Sequence, residues 1–172
     1  MKILFYFISI VVILVSCREK QYFNSSPEID LIKKANEAYF KADWETFKSV
    51  FADKARIWFN TPRSKKTVLT KDQLIDTLKV DLLYYTEYKV GKNPDYEDPL
   101  YEMIVDNEGG KWVHCWLTWT GRSGNGTEVV TPVHLSSLIK EGKVEIHFIY
   151  FNALPGYRAM QGSDSNKEAK QN

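Results

Sequence analysis

Histidine is the residue type in this chain best suited to proton transfer or metal binding, and the sequence contains His114, His134 and His147. An imidazole titrates near neutral pH and is a common metal ligand. One interpretation is that His134 and His147, on neighbouring strands, form a dyad or bind a metal ion. Only Glu145 accompanies them as a further ligand, so we expect a polar, partly exposed face with two unrelated histidines, no metal and no cofactor.

The register of the last two strands decides which side of the sheet these histidines face. A two-residue turn at 141–142 would pair the flanking strands so that His134 and His147 share one face. A slip of one residue would exchange the two faces. The other face, which should pack on the helices, would carry Thr131, Val133, Leu135, Ile146, Phe148 and Tyr150.

The third histidine, His114, lies in a strand that is rich in tryptophan. Alternation places it on one face with Trp112 and Trp116. On a cavity wall it would orient a ligand; in the core it would bond a backbone carbonyl or a tyrosine hydroxyl. We expect a cavity between the sheet and the first two helices, with a predicted lining of Tyr39, Trp44, Trp58, His114, Trp116, Phe148 and Tyr150.

The two cysteines predict different roles. Residues 1–16 have the pattern of a secretory signal peptide, and Leu14-Val15-Ser16-Cys17 resembles a bacterial lipobox. Cleavage before Cys17 would leave that residue carrying acyl chains such as palmitate. An ordinary signal peptide or an uncleaved anchor is the alternative. Cys115, in an apolar segment, is expected to be a small buried hydrophobic residue.

This pattern predicts a protein of the bacterial cell envelope, held on a membrane by its lipid anchor and either periplasmic or associated with the outer membrane. Residues 17–26 would be the lipidated tether, 27–155 a single domain and 156–172 a disordered tail. The 172 residues carry a formal net charge of +1. A nucleic-acid-binding protein would show a strong basic excess, so we expect no nucleic acid partner.

The order of the predicted elements favours an α+β fold. Helical spacing of apolar residues starts at Pro27, resumes after Asp43 and returns from Thr70 to Tyr85. From Tyr101 onward the apolar residues alternate instead, which is typical of strands. Helices followed by an antiparallel meander place the helices on one face of a sheet.

Several short segments occur in the order found in one superfamily. They are Ala42-Asp43-Trp44, Phe51-Ala52-Asp53, Trp116-Leu117-Thr118-Trp119-Thr120-Gly121, Pro132-Val133-His134, Gly142-Lys143-Val144 and Tyr150-Phe151-Asn152. Over residues 27–155 the chain thereby resembles the nuclear transport factor 2-like superfamily and its SnoaL-like group. The resemblance implies a cone-shaped, strongly curved antiparallel sheet wrapped around about three N-terminal helices, with a pocket inside. It also implies a homodimer formed through the sheet.

Enzymes of this superfamily commonly carry acids in the first strand and at the end of the last strand. Phe59 and Asn152 stand near those positions here, and an amide is no general base near neutral pH. We therefore expect no catalytic residue and a domain that binds a small apolar or mixed ligand. The alternatives are a SnoaL-like isomerase, cyclase or hydrolase that uses histidine acid–base chemistry, or a protein-interaction module.

Overall fold

A computed structural model describes residues 22–90 and 98–168, so the predicted signal peptide and Cys17 lie outside the described residues. The helices are α1 (Pro27–Phe40), α2 (Trp44–Ser49), α3 (Lys71–Leu82) and α4 (Leu154–Glu168). The strands are β1 (Tyr22–Phe23), β2 (Phe51–Phe59), β3 (Tyr85–Val90), β4 (Leu100–Val105), β5 (Lys111–Ser123), β6 (Glu128–Lys140) and β7 (Lys143–Phe151). Within the described ranges, no helix has the length and apolar character needed to cross a membrane.

All seven of these strands join one curved, unclosed sheet, which confirms the predicted α+β fold. The strand order is β1-β4-β5-β6-β7-β2, and β3 pairs with β5 beyond the end of β4. The pairings are antiparallel except that between β2 and β7, which is parallel. The sequence analysis predicted a purely antiparallel sheet, because local patterns do not show where an early strand joins a late one.

Short hydrogen-bonded caps fix where the helices begin. Thr70 and Gln73 form the predicted capping box of α3, with Gln73 N donating to Thr70 Oγ1 at 3.3 Å. The cap of α1 is Ser26, whose Oγ accepts from Ile29 N at 3.2 Å. The helix was predicted to continue through Tyr85. Instead, α3 ends at Leu82 and β3 begins at Tyr85.

The hydrophobic core lies between the concave face of the sheet and the helices. Ile29 and Ile32 of α1 and Leu74 of α3 are almost completely buried against Ile57 and Val113 of the sheet. Burying a side chain of this size stabilises the fold by about 1.5–3 kcal/mol. This packing holds the helices against the sheet and thereby sets the walls of the space between them.

The segment 156–172, which was predicted to be a disordered tail, is helical in α4 (Leu154–Glu168) as far as Glu168. Ala159 is only 2% exposed, and its carbonyl accepts a hydrogen bond of 3.4 Å from Asn125 Nδ2. Composition misled the prediction because the few apolar residues of a polar helix can pack on an existing sheet. Within the predicted tether, 17–26, Tyr22 and Phe23 form β1 and pair with β4.

A β-bulge changes the register of the last hairpin. Lys140 pairs with Lys143, as the two-residue turn predicted. Glu145 is then an extra residue on β7 that has no partner on β6. Beyond it the register is shifted by one residue, so that Leu138 pairs with Ile146 and Ser137 with His147. The bulge therefore exchanges the two faces of β7 relative to the prediction.

Six residues of β6 and β7 were predicted to face the helices, and the exchange of faces corrects the three that belong to β7: Ile146, Phe148 and Tyr150. Thr131, Val133 and Leu135 of β6 lie on the concave side, as expected. Phe148 and Tyr150 of β7 lie on the opposite, outer side, where their rings stack 6.1 Å apart. His147 occupies the concave side in their place.

Candidate functional site

The concave side of the sheet and the helices enclose a cavity of about 330 Å³. All four described helices contribute to it, together with β2, β3, β5, β6 and β7, and not only α1 and α2 as predicted. Its aromatic lining consists of Tyr39, Phe40, Phe47, Phe59, Tyr85, Trp119, Phe151 and Tyr157. Its aliphatic lining includes Leu78, Leu82, Leu117, Val129, Val133, Leu135 and Ile149.

Two contacts fix the aromatic wall on the α1 side. Trp119 Nε1 donates to the hydroxyl of Tyr39 at 3.2 Å, and burial raises the pKa of that hydroxyl. The ring of Tyr85 meets Trp119 edge-on, with centroids 4.8 Å apart. These rings are held in place by each other, so their positions on this wall are fixed.

His147 is a completely buried polar group on the cavity wall. Its Nδ1 lies 2.8 Å from Ser137 Oγ, and the ring of Phe51 packs against it edge-on at 5.5 Å. Burial lowers the pKa of His147 to about 4. The imidazole is therefore neutral at physiological pH, and Ser137 fixes its orientation.

Asp81, in the last turn of α3, is the acidic residue among those that line the cavity. Partial burial raises the pKa of its carboxyl group. The pKa of Tyr85 is also raised, mainly by desolvation and to a smaller extent by the charge of Asp81. Asp81 lies inside the helix predicted from Thr70 to Tyr85, but the sequence analysis named only its apolar residues and did not identify Asp81 as a site residue. Its spacing from the apolar residues Leu74 and Leu78 could have placed it on their face.

Asn36, which lines the cavity on the α1 side, belongs to a small hydrogen-bonded group. Asn36 Nδ2 donates to Tyr101 Oη at 3.0 Å and to Cys115 Sγ at 3.7 Å. Cys115 is fully buried, as predicted, and burial raises the pKa of its thiol to about 11. A thiol so rarely ionised is a poor nucleophile.

The predicted ligand-binding residues lie in three places. Tyr39 lines the cavity. Trp44 lies behind the wall, with its ring 6.3 Å from Tyr39 and 6.2 Å from Phe47. The remaining five do not line this cavity and lie on the outer face of the sheet: Trp58, His114, Trp116, Phe148 and Tyr150.

On the outer face, stacked rings form two groups, called here together the outer aromatic row. One group is Trp58, Trp112, Phe148 and Tyr150, and the other is His114, Trp116 and His134. Trp116 stacks on His134 at 4.9 Å, and the planes differ by 15°. His134 and His147 lie on opposite faces, so the two cannot form a dyad. In the described part of the chain, no group of three or more His, Cys, Asp or Glu side chains is arranged to hold a metal ion.

No family model matches the chain. No curated protein matches its sequence either.

Solved structures do match. PrhC from Penicillium brasilianum NBRC 6234 has a TM-score of 0.64 at 14% identity, covering 84% of this chain and 92% of PrhC. IdmH from Streptomyces antibioticus, described as a candidate polyketide cyclase, has a TM-score of 0.59 at 13% identity, covering 80% and 99%. An NTF2-like protein from Burkholderia xenovorans LB400 has a TM-score of 0.56 at 15% identity, covering 80% and 98%. These likenesses confirm the predicted fold: the chain has the nuclear transport factor 2-like cone fold.

Proposed function

We propose that this domain binds one small, largely apolar molecule in the cavity. The observation that carries the proposal is the cavity itself, about 330 Å³ enclosed by aromatic and aliphatic side chains. Ligand sites of proteins occupy about 300–1,000 Å³ and combine such walls with a few polar groups. The rigid rings of Tyr39 and Trp119 favour a flat ligand, and His147 offers it one neutral polar contact.

A titration with N-phenyl-1-naphthylamine, an uncharged apolar fluorophore, tests this proposal. We expect saturable fluorescence enhancement with one site per chain, and quenching of Trp119, which lies in the wall. A matched titration uses Leu117→Trp, which adds bulk to the cavity wall and should reduce binding. Enhancement that does not saturate, or a stoichiometry well below one, would contradict a defined cavity site.

An enzyme is the second candidate, and it rests on one specific observation. Asp81 on α3 and His147 on β7 are titratable groups that line the same cavity, and burial shifts the pKa of each. Groups with shifted pKa values in a cavity are candidates for acid–base catalysis. That IdmH is described as a candidate polyketide cyclase is compatible with this possibility, although the likeness concerns the fold.

The two candidates differ in what substitutions should do. If the domain only binds its ligand, His147→Gln and Asp81→Asn should change the affinity for that ligand, and neither the substituted nor the unsubstituted protein should convert it to a product. Catalysis predicts conversion of a bound polycyclic ketone or ester, detected by mass spectrometry, that either substitution abolishes. Turnover above the buffer rate would make the enzyme the better account.

We further propose that Cys17 carries the lipid that attaches the domain to a membrane. The support is the Leu14-Val15-Ser16-Cys17 segment after an apolar stretch. Two or more acyl chains are needed for stable attachment, since each buried CH₂ contributes about 0.8 kcal/mol. Cys17→Ser should move the protein from the membrane fraction to the soluble fraction and stop metabolic labelling with palmitate. A variant that remains in the membrane with unchanged processing would contradict the anchor.

A further inference from the structure

Asp81 is a half-buried carboxyl group on the cavity wall, and no described residue forms an ion pair with it. The ion pairs of the described residues use other carboxylates: Asp30, Glu37, Asp53, Asp72 and Glu28. No hydrogen bond to the Asp81 side chain occurs among the described contacts, and desolvation accounts for its raised pKa. A partly buried carboxylate without a partner is costly, so its place at a cavity calls for an explanation.

The position in the helix adds to this cost. Asp81 lies one residue before the end of α3 (Lys71–Leu82). The helix dipole places partial negative charge at that end, which disfavours a carboxylate by about 0.3–1 kcal/mol. The fold therefore gains no evident stability from an acid at this position.

The surroundings of Asp81 fit a cation. Among the described residues, those that line the cavity include no lysine and no arginine. They do include Tyr39 and Tyr85, the two hydroxyl groups whose pKa values Asp81 raises through its charge. Trp119 contacts both of these tyrosines. Aromatic ring faces attract a cation that lies within about 6 Å of them, and a nearby carboxylate adds charge complementarity.

We propose that the cavity selects a ligand with a positively charged amine or quaternary ammonium group, held between Asp81 and the rings of Tyr39, Tyr85 and Trp119. This inference rests on the proposed function, because it names the class of ligand for the same cavity. The apolar part of the ligand occupies the aliphatic region around Val133 and Leu135. Anionic ligands are disfavoured, since they would meet Asp81 and no balancing cation.

Three probes of nearly equal shape and different charge test the proposal. They are benzyltrimethylammonium, its neutral isostere neopentylbenzene, and the anion phenylmethanesulfonate. Each displaces N-phenyl-1-naphthylamine from the full chain in competition titrations at pH 8, well above the ordinary range of a carboxyl group. We expect the cation to bind about tenfold more tightly than the neutral probe, and the anion to bind most weakly.

Asp81→Asn should remove the preference for the cation and leave the affinity for neopentylbenzene unchanged. Asp76→Asn is the matched control, because Asp76 lies on the same helix and is exposed. Equal binding of the cation and the neutral probe by the unsubstituted protein would overturn the charge inference and leave the proposed cavity site intact. If neither these probes nor the fluorophore binds, the proposed function fails and the inference fails with it. An Asp81→Asn protein that keeps the cation preference would also overturn the role of Asp81.

Discussion

Ser137 Oγ and His147 Nδ1 lie 2.8 Å apart across β6 and β7. This contact exists because the bulge at Glu145 advances β7 by one position relative to β6. It places a neutral imidazole on the cavity wall and turns Phe148 and Tyr150 to the outer face of the sheet. One inserted residue thus decides which side chains can meet a ligand.

The buried state of His147 predicts that the protein loses stability in mild acid. Its pKa is about 4 in the folded protein, below the ordinary value of 6.5. As the pH falls from 6.5 towards 4, the unfolded chain takes up a proton that the folded protein does not. The free energy of unfolding should therefore decrease by up to about 3 kcal/mol over that range, as measured by urea unfolding.

His147→Gln should show a smaller loss on acidification, because it has no proton to take up there. His114→Gln is the matched control, since His114 is about half buried on the outer face and should retain most of the slope. If the slope of the unsubstituted protein persists in His147→Gln, the loss does not come from His147.

Helix α4 is expected to complete the cavity. Tyr157 and Met160 of this helix line it, and Ala159 packs against the sheet with 2% exposure. Ala159→Arg should detach α4, because a charged side chain cannot be buried there without a partner. Affinity for N-phenyl-1-naphthylamine should then fall by about tenfold, or 1.4 kcal/mol.

Hydrogen exchange checks the mechanism of that loss, since the amides of α4 should lose protection while those of β6 keep it. Arg158→Ala, at an exposed position on the same helix, is the control and should behave like the unsubstituted protein. Unchanged affinity in Ala159→Arg would show that α4 plays no part in binding.

Sequence reasoning succeeded where the pattern is local. The helical spacing and the capping box of Thr70 and Gln73 predicted α3, and the turn at 141–142 predicted the last hairpin. It failed at the Glu145 bulge, because alternation carries no mark of an inserted residue and every later side chain then changes face. It also missed α4, whose stability depends on a surface formed by distant strands.

The outer aromatic row is expected to form the homodimer interface that the sequence analysis predicted. Trp116 is 40% exposed and Tyr150 41% exposed, which is high for large aromatic side chains in a monomer. Trp116→Arg should convert a dimer to a monomer without unfolding it, as measured by light scattering at micromolar concentration. Leu83→Arg, at a highly exposed position outside the sheet, is the control. A monomer mass for the unsubstituted protein would contradict this assembly.

Cys115 should react slowly with a thiol reagent. It is fully buried, and the raised pKa of about 11 leaves little thiolate at pH 8. In the Cys17→Ser protein, 5,5′-dithiobis(2-nitrobenzoate) should label Cys115 many times faster in guanidinium than under native conditions. Equal rates in the two conditions would show that the folded protein exposes this thiol.

The central claim is that the ligand site lies inside the cavity and not on the outer aromatic row. Isothermal titration of N-phenyl-1-naphthylamine into two variants, Val133→Trp and Trp116→Ala, tests it most directly. Val133 lines the cavity, whereas Trp116 stacks with His134 on the outer face. We predict that Val133→Trp abolishes binding because the indole fills the cavity, and that Trp116→Ala binds as the unsubstituted protein does. Binding that survives Val133→Trp and disappears in Trp116→Ala would place the site on the outer face and contradict this account.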